Sequence, residues 1–146
     1  MLNDIEIEFI DACKNGYVSK MDSLLTSNPE LIDAQDSIGN NVLLICMCAP
    51  IAFQAVTVPC LVKHGINLNY VNNVHCIEKQ EGKWVRNNVI TKVTAQDIAE
   101  FQGNHVIASI LNPENTYSNK IRANLLIEEY TRILDSKKKI TVEKEH

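Results

Sequence analysis

The chain has 146 residues, 45% of them hydrophobic and 22% charged, and a formal net charge of −4, the composition of one ordinary soluble globular domain with enough apolar material for a core. The negative balance argues against nucleic acid as a bulk electrostatic partner, and no apolar run approaches the length of a membrane span. Residues 1–6 are acidic and lack the basic and long apolar regions of a secretory signal, which predicts a cytoplasmic protein.

A first helix is predicted over 4–14, with Phe9, Ala12 and Cys13 inward and a stop at Asn15-Gly16, since glycine takes a left-handed φ without a Cβ clash. A second covers about 18–26 and closes at Asn28-Pro29, because the residue before a proline is driven from the helical region. Leu31, Ile32 and Ala34 lead into a turn at 36–40, where Gly39 permits positive φ. The third helix spans 42–48. Thr57 reads as the N-cap of a fourth, which puts Pro59 in the first turn, where its missing N–H does no harm, and Gly65 at the end. Residues 73–91 carry Val74, Ile77, Trp84, Val85, Val89 and Ile90 around the polar, glycine-bearing Gln80-Glu81-Gly82-Lys83, which predicts a β-hairpin. Two short apolar blocks follow, Gln96-Asp97-Ile98-Ala99-Glu100 and then Val106, Ile107, Ile110 and Leu111, separated by Gly103. Beyond Asn112-Pro113, Ile121, Leu125, Leu126, Tyr130, Ile133 and Leu134 recur at three and four positions on a polar background, predicting an amphipathic helix over 113–138. Residues 139–146 have no apolar periodicity and are expected to fray.

The helical blocks repeat. Phe9-Ile10-Asp11-Ala12-Cys13, Leu43-Leu44-Ile45-Cys46-Met47 and Gln96-Asp97-Ile98-Ala99-Glu100 are each followed by a glycine or proline and a second apolar block. Phe9 and Leu43 stand 34 positions apart, near a period of about 33 residues, whereas Leu43 and Gln96 stand 53 apart, so about 20 residues are inserted. The segment from Asp36 to Leu44, Thr94-Ala95-Gln96-Asp97-Ile98-Ala99, Gly103-Asn104-His105 and His64-Gly65-Ile66-Asn67-Leu68-Asn69 together resemble the ankyrin repeat family. Asn41, Val42 and Leu44 depart from its usual Thr, Pro and His.

The resemblance implies an all-α fold: a solenoid of stacked helix-turn-helix units over 1–112, interrupted by the hairpin at 73–91 and closed by the C-terminal helix. That helix serves as a cap on the third unit or, in a sharper reading, as a dimerisation or partner-binding helix; a monomer is expected. The family implies a scaffold that binds other proteins and brings no catalytic residues. Its concave face would present Ser37, Ile38 and Asn40 on the turn, Lys14 and Asn15, Cys48 and Ala49, and Phe101 and Gln102 at the helix ends. The hairpin would extend this edge with Lys83, Trp84 and Arg86. Large aromatics serve interface and core alike, so Trp84 either anchors a partner or folds back over the irregular second unit.

Five cysteines, an odd number without a signal, do not form a disulfide framework. Cys13 and Cys46 read as core thiols. Cys60 and His64 lie one helical turn apart, and with His75 and Cys76 they make a set that suits zinc, but no CxxC pair is present and no metal is expected. A Cys-His nucleophile lacks a third, orienting group. No GxGxxG, Walker-type loop, HExxH or GxSxG pattern occurs, so neither a cofactor nor enzyme activity is expected. The function expected is a non-catalytic protein–protein interaction module, an adaptor or inhibitor of a cognate protein. The alternative is a bacterial effector that reaches a host cell by a signal-peptide-independent route and binds a host protein, since Asn-, Ile- and Lys-rich ankyrin proteins occur among intracellular bacteria. A third reading grafts a metal-dependent or thiol enzyme on the hairpin.

Overall fold

A computed structural model describes the backbone of residues 2–145 and the side chains of 2–71, 81–83 and 93–133. The fold is mostly helical. Helix α1 (Asp4–Asn15) starts at a reciprocal cap: the Asn3 Oδ1 accepts from the Glu6 N–H at 2.8 Å, and the Asn3 N–H donates to the Glu6 carboxylate at 3.4 Å. Those bonds satisfy amides that a free helix end leaves open. Its Phe9, Ile10, Ala12 and Cys13 are buried, and Gly16 ends it at φ 74°. Helix α2 (Val18–Ser27) turns Met21 and Leu25 inward, and a short 3-10 stretch, Pro29–Asp33, carries the chain out of it.

The loop at 36–40 is held by one carboxylate. Asp36 Oδ1 accepts from the amides of Ile38 (3.0 Å) and Asn40 (2.9 Å), and the Tyr70 hydroxyl donates to the Gly39 carbonyl. Asn41 then caps α3 (Val42–Cys48) by accepting from the Leu44 N–H at 3.0 Å. Every residue of α3 from Val42 to Met47 is buried, as a helix apolar on all sides must be.

Helix α4 (Ile51–Lys63) differs from expectation. It begins directly after Pro50, and Pro59 lies inside it rather than in its first turn. Thr57 does not cap; its hydroxyl bonds back to the Phe53 carbonyl at 3.0 Å within the helix. The hydrogen bond that Pro59 cannot make would have ended on Ala55, an exposed residue, so the lost bond falls on the open side of the helix.

Strands β1 (Asn72–Gln80) and β2 (Lys83–Val93) pair antiparallel, with Lys79 opposite Trp84 and Gln80 opposite Lys83. Glu81 and Gly82 both have positive φ, as two-residue connections of antiparallel strands require. The register shifts between Asn72 and Ile77.

Helix α5 (Ala95–Phe101) opens on another reciprocal cap, between Thr94 and Asp97. After Gly103, Asn104 caps the single turn of α6 (His105–Ala108). Helix α1 packs on α2, α3 on α4 and α5 on α6; α1 also packs on α3 and α3 on α5, and α2 on α4 and α4 on α6. The first helices thus form one layer and the second helices another, with the apolar core from Phe9 to Leu111 between them.

Helix α7 (Thr116–Glu145) lies mainly along α4 and also reaches the third pair, where Arg122 donates to the Ser109 carbonyl at 3.3 Å. Lys120 lies beside Gly65 at the end of α4, while Leu126, Tyr130 and Ile133 face Ala55 near its beginning, so the two helices run antiparallel. Its buried face also differs from the predicted stripe. Asn119 and Ala123 are fully buried and Leu126 partly, whereas Ile121, Leu125, Tyr130 and Ile133 stay exposed. The small Ala123 and the bond from Asn119 Nδ2 to the Asn112 carbonyl (2.7 Å) permit a close approach that larger side chains would prevent. The helical backbone continues through 139–145, where fraying is predicted.

Candidate functional site

Around the loop at 36–40 the surface is concave on both sides. Lys14 at the end of α1, Asp36, Ile38 and Asn40 in the loop, and Ile45, Cys48 and Ala49 on and after α3 line an open depression of about 490 Å³. Ile38 is 60% exposed. On the other side Leu2, Glu6 and Ile7 face Ala34, Gln35 and Ser37 across a second depression. The structure therefore brings Ile38, Asn40 and Cys48 together, and turns Ser37 to the neighbouring hollow.

Three of the expected surface residues also bond or pack inward. Asn40 is 5% exposed, and its backbone amide and side chain both bond Asp36. Phe101 is half-buried and packs against the core. Gln102 joins a network that links α3, α4 and the turn after α5. Its Nε2 donates to the Met47 carbonyl at 2.8 Å, and its Oε1 accepts from Gln54 Nε2 at 3.0 Å. Gln54, fully buried, also reaches the carbonyls of Met47 (3.2 Å) and Ala49 (3.4 Å) and accepts from Asn104 Nδ2 at 3.1 Å. Buried amides that tie three elements this way define how the elements sit. Lys83 is exposed beside the strand turn. The side chains of Trp84 and Arg86 lie outside the described residues, as do His75 and Cys76.

A second cluster joins α2 to α4. His64 Nε2 lies 2.8 Å from Asp22 Oδ1, and Lys63 Nζ lies 3.7 Å from the same oxygen. The hydrogen bond with His64 holds the Asp22 carboxyl below its ordinary range, aided by Lys63 and opposed by partial burial. Cys60, one turn before His64, completes a group in which a carboxylate oxygen, an imidazole nitrogen and the sulfur all lie within 4.8 Å of one another. Asp22 is thus the third group absent from the sequence reading. Nothing local could have revealed it, since it stands 42 positions from His64.

The cluster has the members of a Cys-His-Asp triad, with the sulfur on its buried side. Cys60 is 2% exposed, and burial, reinforced by the Asp22 charge, pushes its thiol up to about 12. A nucleophilic cysteine needs the thiolate and a path for substrate. Cys48, at the depression, is also raised, by burial and then by Asp36. Cys13 is raised by its hydrogen bond with Cys46 and by burial, as expected of core thiols.

Among the described residues no helix is long and apolar enough to cross a membrane. Comparison with protein-family models, curated proteins and solved structures found no match to any of the three.

Proposed function

We propose that the chain is a non-catalytic protein–protein interaction module of the ankyrin type, an adaptor or inhibitor of one cognate protein. Its docking face is the loop at 36–40 with the end of α3. The observation that carries this reading is the open depression between Lys14, Ile38, Ile45, Cys48 and Ala49, rimmed by the exposed Ile38. An apolar side chain held on a braced loop beside a concavity is preorganised for a partner, because little entropy remains to be lost on docking. The ankyrin assignment is supported by first helices packed on first helices and second on second, with left-handed glycines at Gly16 and Gly103 between the partners of a pair. In that frame β1 and β2 are an insertion between the second and third units, and α7 covers the second-helix layer that a short array would otherwise leave open.

The test is affinity capture from a lysate of the source cell with three forms of the chain: unchanged, Ile38→Glu, and Tyr117→Glu as a control on the exposed start of α7. A protein retained by the unchanged chain and the control, and lost with Ile38→Glu, is the expected result. Equal retention by all three forms would exclude this face.

A further inference from the structure

We propose that Asp22, Cys60 and His64 form a binding site for one divalent cation of the zinc class, which clips α2 to α4. The site does not depend on the partner-binding reading. Carboxylate, thiolate and imidazole are the three donor types that zinc takes from proteins. Bonds of about 2.0–2.3 Å in a tetrahedron separate ligand atoms by roughly 3.3–3.8 Å. The three donors already lie within 4.8 Å of one another. Asp22 and His64, now 2.8 Å apart, would open by about 0.5 Å to reach that separation, and the sulfur would close by at most about 1.3 Å.

The scaffold favours such a site. Cys60 lies in the last turn of α4 and His64 caps that helix, its N–H donating to the Cys60 carbonyl at 3.2 Å, which keeps the two side chains on one face, and Asp22 comes from α2, so the set exists only in the folded chain. Cys60 lies on the buried side, while the side chains of His64 and Asp22 are 20% and 47% exposed. That asymmetry leaves the fourth position to water. Lys63, which pairs with Asp22, has a side chain 44% exposed and can swing into solvent when a cation takes its place. On binding, the Cys60 S–H bond breaks, its proton goes to solvent and the sulfur bonds the metal. One carboxylate and one thiolate then neutralise the two positive charges of the ion.

The experiment titrates the full, metal-free chain with Co²⁺ and follows the thiolate-to-cobalt charge-transfer absorption, with Zn²⁺ added afterwards as competitor. The expected result is a band that saturates at one equivalent, is bleached by Zn²⁺, and is absent in Cys60→Ser. Asp22→Asn and His64→Gln should each weaken cobalt binding by at least about tenfold. The double variant His75→Gln/Cys76→Ser should behave as the unchanged chain. Absence of the band in the unchanged chain, or its persistence in Cys60→Ser, overturns the proposal, as does its loss in the double variant alone. Should Cys60→Ser fail to fold, unaltered affinity in both Asp22→Asn and His64→Gln overturns it equally.

Discussion

Replacing Gln54 by leucine tests whether the amide network, and not apolar burial alone, sets the junction between α3, α4 and the turn after α5. The substitution keeps approximate volume and removes four hydrogen bonds. The Met47 carbonyl retains Gln102 at 2.8 Å, so the groups left without their Gln54 partner are Gln102 Oε1, Asn104 Nδ2 and the Ala49 carbonyl. A buried polar group left unsatisfied costs about 1–3 kcal/mol. These three are only partly buried and recover some bonding from water, and the leucine adds apolar burial, so the net loss should be about 2–3 kcal/mol. For a domain of this size that lowers the thermal midpoint by roughly 6–12 °C. Urea unfolding followed by far-ultraviolet circular dichroism would measure it as a lower midpoint at unchanged slope. A loss below about 0.5 kcal/mol, the range of ordinary surface substitutions, would refute the reasoning. So would strict additivity of Gln54→Leu with Asn104→Ala, since bonded neighbours should couple by about 0.5 kcal/mol or more.

Two further outcomes separate specific causes. Gly16 and Gly103 both have left-handed φ, but a Cβ at Gly16 would lie 2.9 Å from the Phe53 ring while one at Gly103 meets nothing within 4 Å. Alanine at Gly103 should therefore cost only the backbone penalty of about 1–2 kcal/mol, and alanine at Gly16 measurably more; equal losses by thermal unfolding would show that the Phe53 contact is immaterial. Asp22 titrates below its ordinary range in the folded state because His64 bonds its charged form. Its contribution is present above the unfolded value near 4 and is lost as pH falls through the lower folded value. The stability gap between the unchanged chain and Asp22→Asn should thus shrink below about pH 4, and a gap constant from pH 6 to pH 2 in urea midpoints would contradict the assignment.

The elements that agree with the sequence reading are those with local signals. Gly16 ends α1 and Asn28-Pro29 closes α2 where expected, and α1, α2 and α3 fall within a residue or so of their predicted ranges. Helix α4 escaped because Pro59 invites a first-turn reading, and only the packing of the whole segment shows that the helix passes through it. The candidate face was partly legible. Ile38 and Cys48 sit at the depression, while Asn40, Phe101 and Gln102 were drawn inward by partners that no local pattern announces.

By itself the sequence determined the order of apolar blocks, their punctuation by glycine and proline, and so a helical chain with its long irregular spacing before α5. Those properties depend on residues within one or two turns of each other. Tertiary structure alone decided which side chains meet and which are covered: Gln54 with Gln102 and Asn104 across about 50 positions, Asp22 with His64 across 42, and Ala123 rather than Leu125 on the buried face of α7. The physical reason is that capping and turn energies are local, whereas the partner of a buried amide, carboxylate or thiol is whatever close packing brings beside it.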